Sequence, residues 1–169
     1  MLIKKILMVF IRSIIKLFDG INNKFYTDIY YKYLKNIGIK FLGRPNYIHS
    51  SVYFDGKGYD LITIGEDVVL SREVMLLTHD YSIETALHTI DKGTLDRHLH
   101  INQEIYIGNN TFIGARVSLL PGTRIGNNCI VGACTVVKGN IPDNCVVIGN
   151  PMRVIKKTED LGNKIYQSL

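Results

Sequence analysis

The stretch Ile101-Asn102-Gln103-Glu104-Ile105-Tyr106-Ile107-Gly108-Asn109-Asn110-Thr111-Phe112-Ile113-Gly114-Ala115-Arg116-Val117-Ser118-Leu119 decides the fold, because a large aliphatic residue returns at every sixth position. The beat continues through Ile125, Val131 and Val137, and an earlier run gives Ile64, Leu70 and Leu76. Glycine follows the aliphatic residue at 65, 108, 114, 126 and 132. Four places after it stands a small or β-branched residue: Val68, Val74, Ile105, Thr111, Val117, Thr123, Cys129, Thr135. A helical period would drift out of phase over seven repeats of six, and simple alternation would not single out every sixth place. Fixed-period repetition of this kind predicts a stacked solenoid in which each repeat is a short strand and a corner. Glycine suits corners where the backbone needs a positive φ.

On these residues the chain resembles the hexapeptide-repeat acyltransferases, over about residues 45–155. The similarity is strongest in Ile107–Ala115. It continues through Leu120-Pro121-Gly122, Ile130-Val131-Gly132-Ala133 and Ile141–Pro151, which look like the last coils of maltose, galactoside and polysaccharide O-acetyltransferases. The resemblance implies a mainly β fold, a left-handed parallel β-helix with three repeats to a coil, preceded by N-terminal α-helices and interrupted by a protruding loop. It also implies a homotrimer with active sites between subunits. The expected organisation is a helical segment at 1–40, the β-helix at 41–155 with its loop at 80–102, and a tail at 156–169.

The beat stops after Leu76 and resumes at Ile101. The insert carries Asp80, Glu84, Asp91, Lys92, Asp96, Arg97 and three histidines at 88, 98 and 100. So long an excursion from a regular array is a functional loop, a grip on a neighbouring subunit, or both. Before it stands Leu77-Thr78-His79-Asp80-Tyr81-Ser82. In the sugar O-acetyltransferases that the chain resembles, a histidine at this place is the catalytic base. The chemistry calls for one: a sugar hydroxyl is a poor nucleophile, and a neutral imidazole in hydrogen-bond reach can take its proton. An orienting carboxylate is expected too. Glu104 is the choice, three places after Ile101 as His79 is three after Leu76, with Asp60 and Asp67 as other options and a solvated corner as the plain reading of Glu104.

The resemblance places the pantetheine arm of acetyl-CoA along the outside of the later coils, against small residues such as Ala115 and Ala133. Phe112 falls where many relatives carry Trp beside the thioester. Val137-Lys138-Gly139-Asn140 departs from the usual Val-Thr-Lys-Asp, so the basic contact near the donor phosphates is shifted, with Lys138 as the candidate, or supplied elsewhere. Arg153, Lys156 and Lys157 form a positive cluster suited to nucleotide phosphates, though as a charge run alone they would read as a solvated tail. No metal is expected: the three cysteines at 129, 134 and 145 have no zinc spacing.

Twelve of the sixteen Phe and Tyr residues lie in the first sixty positions, which also carry ten Lys/Arg against four Asp/Glu. The remaining 109 residues are nearly neutral, with ten against eleven, so a phosphate-tracking nucleic-acid surface is not expected. On a helical wheel Lys4, Lys5, Arg12, Lys16 and Asp19 share one arc, while Ile3, Ile6, Leu7, Phe10, Ile14, Leu17 and Phe18 fill the rest. Residues 1–20 therefore read either as a peripheral membrane contact or as a helix packed on the protein, its basic face solvated. Charges interrupt the apolar run too early for export or a membrane span. A second helical pattern runs from Phe25 to Ile37 and ends at Gly38.

The combined reading is an acetyl-CoA-dependent O-acetyltransferase in the cytoplasm, or peripheral on the inner membrane face. It acts on a carbohydrate hydroxyl of cell-surface polysaccharide or its precursor by direct transfer. The alternatives are N-acetyl transfer to an amino-sugar nucleotide, a hexapeptide-type carbonic anhydrase using His79, His98 and His100, and a non-catalytic trimeric scaffold.

Overall fold

The computed structural model describes residues 10–56, 58–90 and 99–169. Strands of two to four residues stack in parallel on three faces. The first face carries Lys40–Phe41, Ile62–Ile64, Ile105–Ile107, Arg124–Ile125 and Asn140–Ile141. The second carries Tyr47–Ile48, Val69–Leu70, Phe112–Ile113, Ile130–Val131 and Cys145–Ile148. The third carries Tyr53–Phe54, Met75–Leu76, Ser118–Leu119 and Val136–Val137. The six-residue aliphatic positions point inward and form the core: Ile64, Leu70, Leu76, Ile107, Ile113, Leu119, Ile125, Val131 and Val137 are fully buried. The small residues four places on are buried with them, filling the corners of a narrow triangle.

Corner geometry follows the same beat. Asp67, Glu73, Asn110, Arg116, Asn128, Cys134 and Asn144 each lie three places after an inward aliphatic residue, at φ between 50° and 60°. Short amide and carboxylate side chains tolerate this left-handed turn. They also bond along the axis: Asn110 Nδ2 donates to Asn128 Oδ1 and Asn128 Nδ2 to Asn144 Oδ1, both at 2.9 Å. Gly122, at φ +83°, takes the equivalent place after Leu119. After Leu76 that place belongs to His79, and there the chain does not turn but runs on as the strand His79–Asp80.

Two expectations about the array change. Ile101 is not the first inward residue of the second run. It is exposed and pairs with Asp80 in an antiparallel ribbon, His79–Asp80 against Ile101–Asn102, that forms the neck of the loop. The coils resume at Ile105–Ile107, paired with Ile62–Ile64. At the other end the beat shortens, and Ile141 rather than residue 143 stacks on Ile125 because Gly139, at φ +86°, closes a tighter corner. The expected tail is also part of the sheet. Arg153–Lys157 folds back antiparallel on Cys145–Ile148, and the exposed helix Thr158–Tyr166 follows.

Residues 10–40 attach beneath the coils. Residues 10–16 are helical. The helix Asn23–Asn36 starts at Asn22, whose side chain accepts the Phe25 N–H at 3.0 Å, and buries Tyr26, Tyr30 and Leu34. Gly38 follows at φ +117°, the left-handed stop expected after a helix. The Tyr26 hydroxyl donates to the Ile48 carbonyl at 2.9 Å, tying the helix to the first coil. No helix among the described residues is long and apolar enough to cross a membrane. Lys4, Lys5 and the apolar positions before Phe10 lie outside the described residues, as do Asp91, Lys92, Asp96, Arg97 and His98 of the loop.

Candidate active site

At the corner where the third face hands over to the first, the chain leaves the solenoid through Thr78 and His79. Strand register sets what lies below: Phe54 pairs with Leu76, and the Asp55 N–H donates to the Leu76 carbonyl at 3.1 Å. Asp55 is thereby held against Thr78 and His79, almost wholly buried. Its Oδ2 accepts the Thr78 N–H at 3.2 Å and the Thr78 hydroxyl at 3.1 Å, and it is in close contact with His79 Nδ1.

Burial pushes the Asp55 carboxyl upward. The Thr78 N–H, the His79 ring and the Thr78 hydroxyl together outweigh it and hold the group below its ordinary range. Asp55 is therefore a carboxylate at neutral pH, and a carboxylate only accepts. The proton at the contact sits on Nδ1, so Nε2 of a neutral ring keeps its lone pair. This is the tautomer a general base requires.

Gly58 supports the arrangement. It opens the short 3-10 turn Tyr59–Leu61, and a methyl group there would overlap Thr78 Oγ1. From the loop side, the Gln103 N–H donates to the Thr78 carbonyl at 2.9 Å. The Tyr81 ring stands edge-on to His79 at 5.1 Å and 5.0 Å from His100.

A cleft of about 200 Å³ opens beside the histidine. Leu77, Ile101, Leu120 and Pro121 form its apolar wall, and His79, Asp80, Gln103 and Lys138 supply the polar groups. Asp80 is held low by the Ser82 N–H, with smaller help from Lys138 and His79.

Of the residues singled out in the sequence, His79 and Lys138 meet in this cleft. Glu104 does not join them as the orienting carboxylate: it is exposed on the strand approach, and Asp55 occupies the ring nitrogen. Glu104 shares the phase of His79 only when counted from Ile101, which lies outside the coil register. Asp55 was legible in principle, since Ile48 and Phe54 already keep the six-residue step one coil earlier. Phe112 is outward and exposed on the second face. Ala115 and Ala133 sit at the corner between the second and third faces. Arg153 and Lys156 lie on the strand that closes the second sheet. Within one chain these five are on different sides of the prism from His79. Among the described residues no three His, Cys, Asp or Glu side chains are grouped to hold a metal.

Residues 104–139 match the family described as bacterial transferase hexapeptide (six repeats). The chain is 37% identical over 100 residues to a galactoside O-acetyltransferase of Lactococcus lactis, covering 59% of this chain and 48% of that protein. Among solved structures, a galactoside acetyltransferase in complex with coenzyme A superposes with a TM-score of 0.61 at 22% identity, over 90% of this chain and 81% of that one. A maltose O-acetyltransferase from Clostridium difficile 630 gives 0.52 at 27% identity, over 89% and 88%. The chain spans about half the length of the curated relatives it matches.

Proposed function

We propose that the chain is an acetyl-CoA-dependent O-acetyltransferase acting on a carbohydrate hydroxyl, a reading supported by the match of residues 104–139 to the bacterial transferase hexapeptide family and by the fold shared with solved acetyltransferases. The observation that carries this reading is the pair His79–Asp55 at the lip of a cleft, on a corner of that solenoid. The acceptor class is a cell-surface polysaccharide or its precursor, and the working form is a homotrimer in the cytoplasm.

His79 Nε2 takes the proton of the acceptor hydroxyl as its oxygen attacks the acetyl carbonyl. Nδ1–H stays on the Asp55 carboxylate, which steadies the imidazolium that forms. The donor supplies an activated thioester carbonyl and departs as the thiol of coenzyme A. Lys138 reaches the same cleft as the base. Phe112, Ala115, Ala133, Arg153 and Lys156 fit a donor track on a neighbouring subunit, where small and apolar surface meets the basic strand. Asp80 and Gln103 offer hydrogen bonds to the acceptor. The exposed Cys134 lies on another corner, and Cys129 and Cys145 are buried, which suits direct transfer without an acyl-enzyme.

The test is thiol release from acetyl-CoA against a panel of sugars and polysaccharide fragments. His79→Ala is expected to abolish turnover while coenzyme A still binds. Full activity in that variant would remove the base assignment, and no turnover of any glycan by the parent protein would overturn the reading.

A further inference from the structure

Residues 10–21 sit on the protein the opposite way round from an ordinary packed amphipathic helix, with Arg12, Lys16 and Asp19 facing inward. Arg12 Nη2 donates to the Val52 carbonyl at 3.1 Å, and Lys16 is half-buried. The Asp19 carboxylate accepts the Tyr47 hydroxyl at 2.6 Å and the Ser50 N–H at 3.0 Å. Only Ile15 among the apolar residues joins the core, at 5% exposure.

The apolar face is left outside. Phe10, Leu17 and Ile21 are 62%, 71% and 78% exposed, and Ile14, Phe18 and Phe25 continue the patch. The Phe18 and Phe25 rings meet edge-on at 5.6 Å, so the patch runs onto the helix Asn23–Asn36. A helix held only by packing would turn this face inward. Here hydrogen bonds at both ends of the segment fix it outward.

The charges around the patch have one sign. Residues 10–44 contain seven Lys or Arg and two Asp. Both acids are engaged, Asp19 as above and Asp28 with Arg44 at 2.7 Å. Lys24, Lys32 and Lys35 are exposed and fall with Phe25 within roughly 100° of arc on the second helix. Apolar side chains ringed by lysines suit an anionic lipid surface, where the rings and aliphatic groups enter the acyl boundary and the ammonium groups meet head groups. Against the same patch of a second copy, the lysines would face lysines.

We infer that Phe10, Ile14, Leu17, Phe18, Ile21 and Phe25 form a peripheral docking surface for anionic membrane, held outward by Arg12 and Asp19. The membrane reading of the sequence also set apolar side chains in the acyl boundary but gave the head groups to the basic arc of residues 1–20; here Arg12 and Lys16 of that arc face the protein, and Lys24, Lys32 and Lys35 take that place.

The experiment is co-sedimentation of the full chain with vesicles of phosphatidylcholine alone, and with a share of phosphatidylglycerol. Parent protein is expected to bind the anionic vesicles and to bind neutral ones weakly. Replacing Leu17 and Ile21 together by Glu removes two inserted side chains and should weaken binding by roughly a hundredfold or more, since each buried aliphatic group is worth at least a tenfold change. Both sites are exposed, so folding and coenzyme A binding should persist. The triple change Lys24→Glu, Lys32→Glu, Lys35→Glu should remove the preference for anionic lipid. No binding of the parent to either vesicle overturns the proposal, as does unaltered binding by the Leu17/Ile21 variant. A fall in subunit number of that variant by light scattering, with no vesicle binding by the parent, would assign the face to another copy of the chain instead.

Discussion

Asp55 and His79 belong to successive coils, and the pairing of Phe54 with Leu76 is what brings them together. The ladder that builds the solenoid thus also places the carboxylate that orients its candidate base. Asp55→Asn preserves size but removes the charge that holds the proton on Nδ1, and the amide can present its own N–H there. Turnover should fall by about two to four orders of magnitude, as for a base left in the wrong tautomer. The KM for acetyl-CoA should change little. Glu104→Gln should stay within about twofold of the parent, as an exposed substitution does. Steady-state kinetics on the three proteins separates the two carboxylates.

The same carboxylate makes stability depend on pH. Its folded value lies below the ordinary 3.8, so the unfolded chain binds the proton more readily. The contribution of Asp55 is therefore complete above the unfolded value and drains away as pH falls through the folded one. Urea midpoints of parent and Asp55→Asn should differ most at neutral pH and converge in acid. A gap that widens on acidification would contradict the carboxylate's role.

Leu119 stacks between Leu76 and Val137 on the third face and is fully buried. Leu119→Ala should cost about 2–5 kcal/mol, because a narrow three-sided core cannot collapse to fill the gap. Denaturant titration measures this directly. With Leu76 bearing the His79 corner, activity should decline at a lower temperature than in the parent.

What was legible in the sequence follows from what the repeat controls. One aliphatic residue per face and one small residue per corner specify the interior, and all nine inward positions named above are buried as the beat requires. His79 was legible because it ends a run. The loop neck was not: Ile101 keeps the six-residue phase by number, but the chain there pairs antiparallel with Asp80, so phase no longer reports position. Asp55 was obscured because its coil uses the aromatic Phe54 and then takes ten residues, not six, to reach Ile64. The N-terminal segment shows a different limit. A helical wheel separates the faces but cannot say which one meets the protein, and Arg12 and Asp19 decide that through partners thirty and more residues away.

Gly58 offers a test of the support beneath the base. A methyl group at this position would overlap the Thr78 hydroxyl, which donates to Asp55. Gly58→Ala should therefore displace Thr78 and lower kcat by roughly tenfold or more, since about 1.4 kcal/mol of lost positioning is enough. Thr78→Val, which deletes that hydroxyl at similar size, should lower kcat in the same direction. An unchanged rate in both would show that the Thr78 side chain does not hold Asp55.

The separation of His79 from the donor-side candidates within one chain leads to a last prediction. His79 and Lys138 share the corner between the third and first faces, whereas Ala133 lies between the second and third, a full face away. In the proposed trimer a productive site takes its base from one subunit and its donor track from the next. His79→Ala and Ala133→Trp should each be inactive, the second because the bulky ring blocks the thioester arm. When the two variants are unfolded together and refolded at equal ratio, mixed trimers hold one interface made of two intact halves. Random assembly restores about a quarter of parental activity by the symmetry of a three-membered ring. Recovery near that fraction supports the shared site. If refolding of the parent alone restores activity but the mixture stays inactive, base and donor track belong to the same subunit.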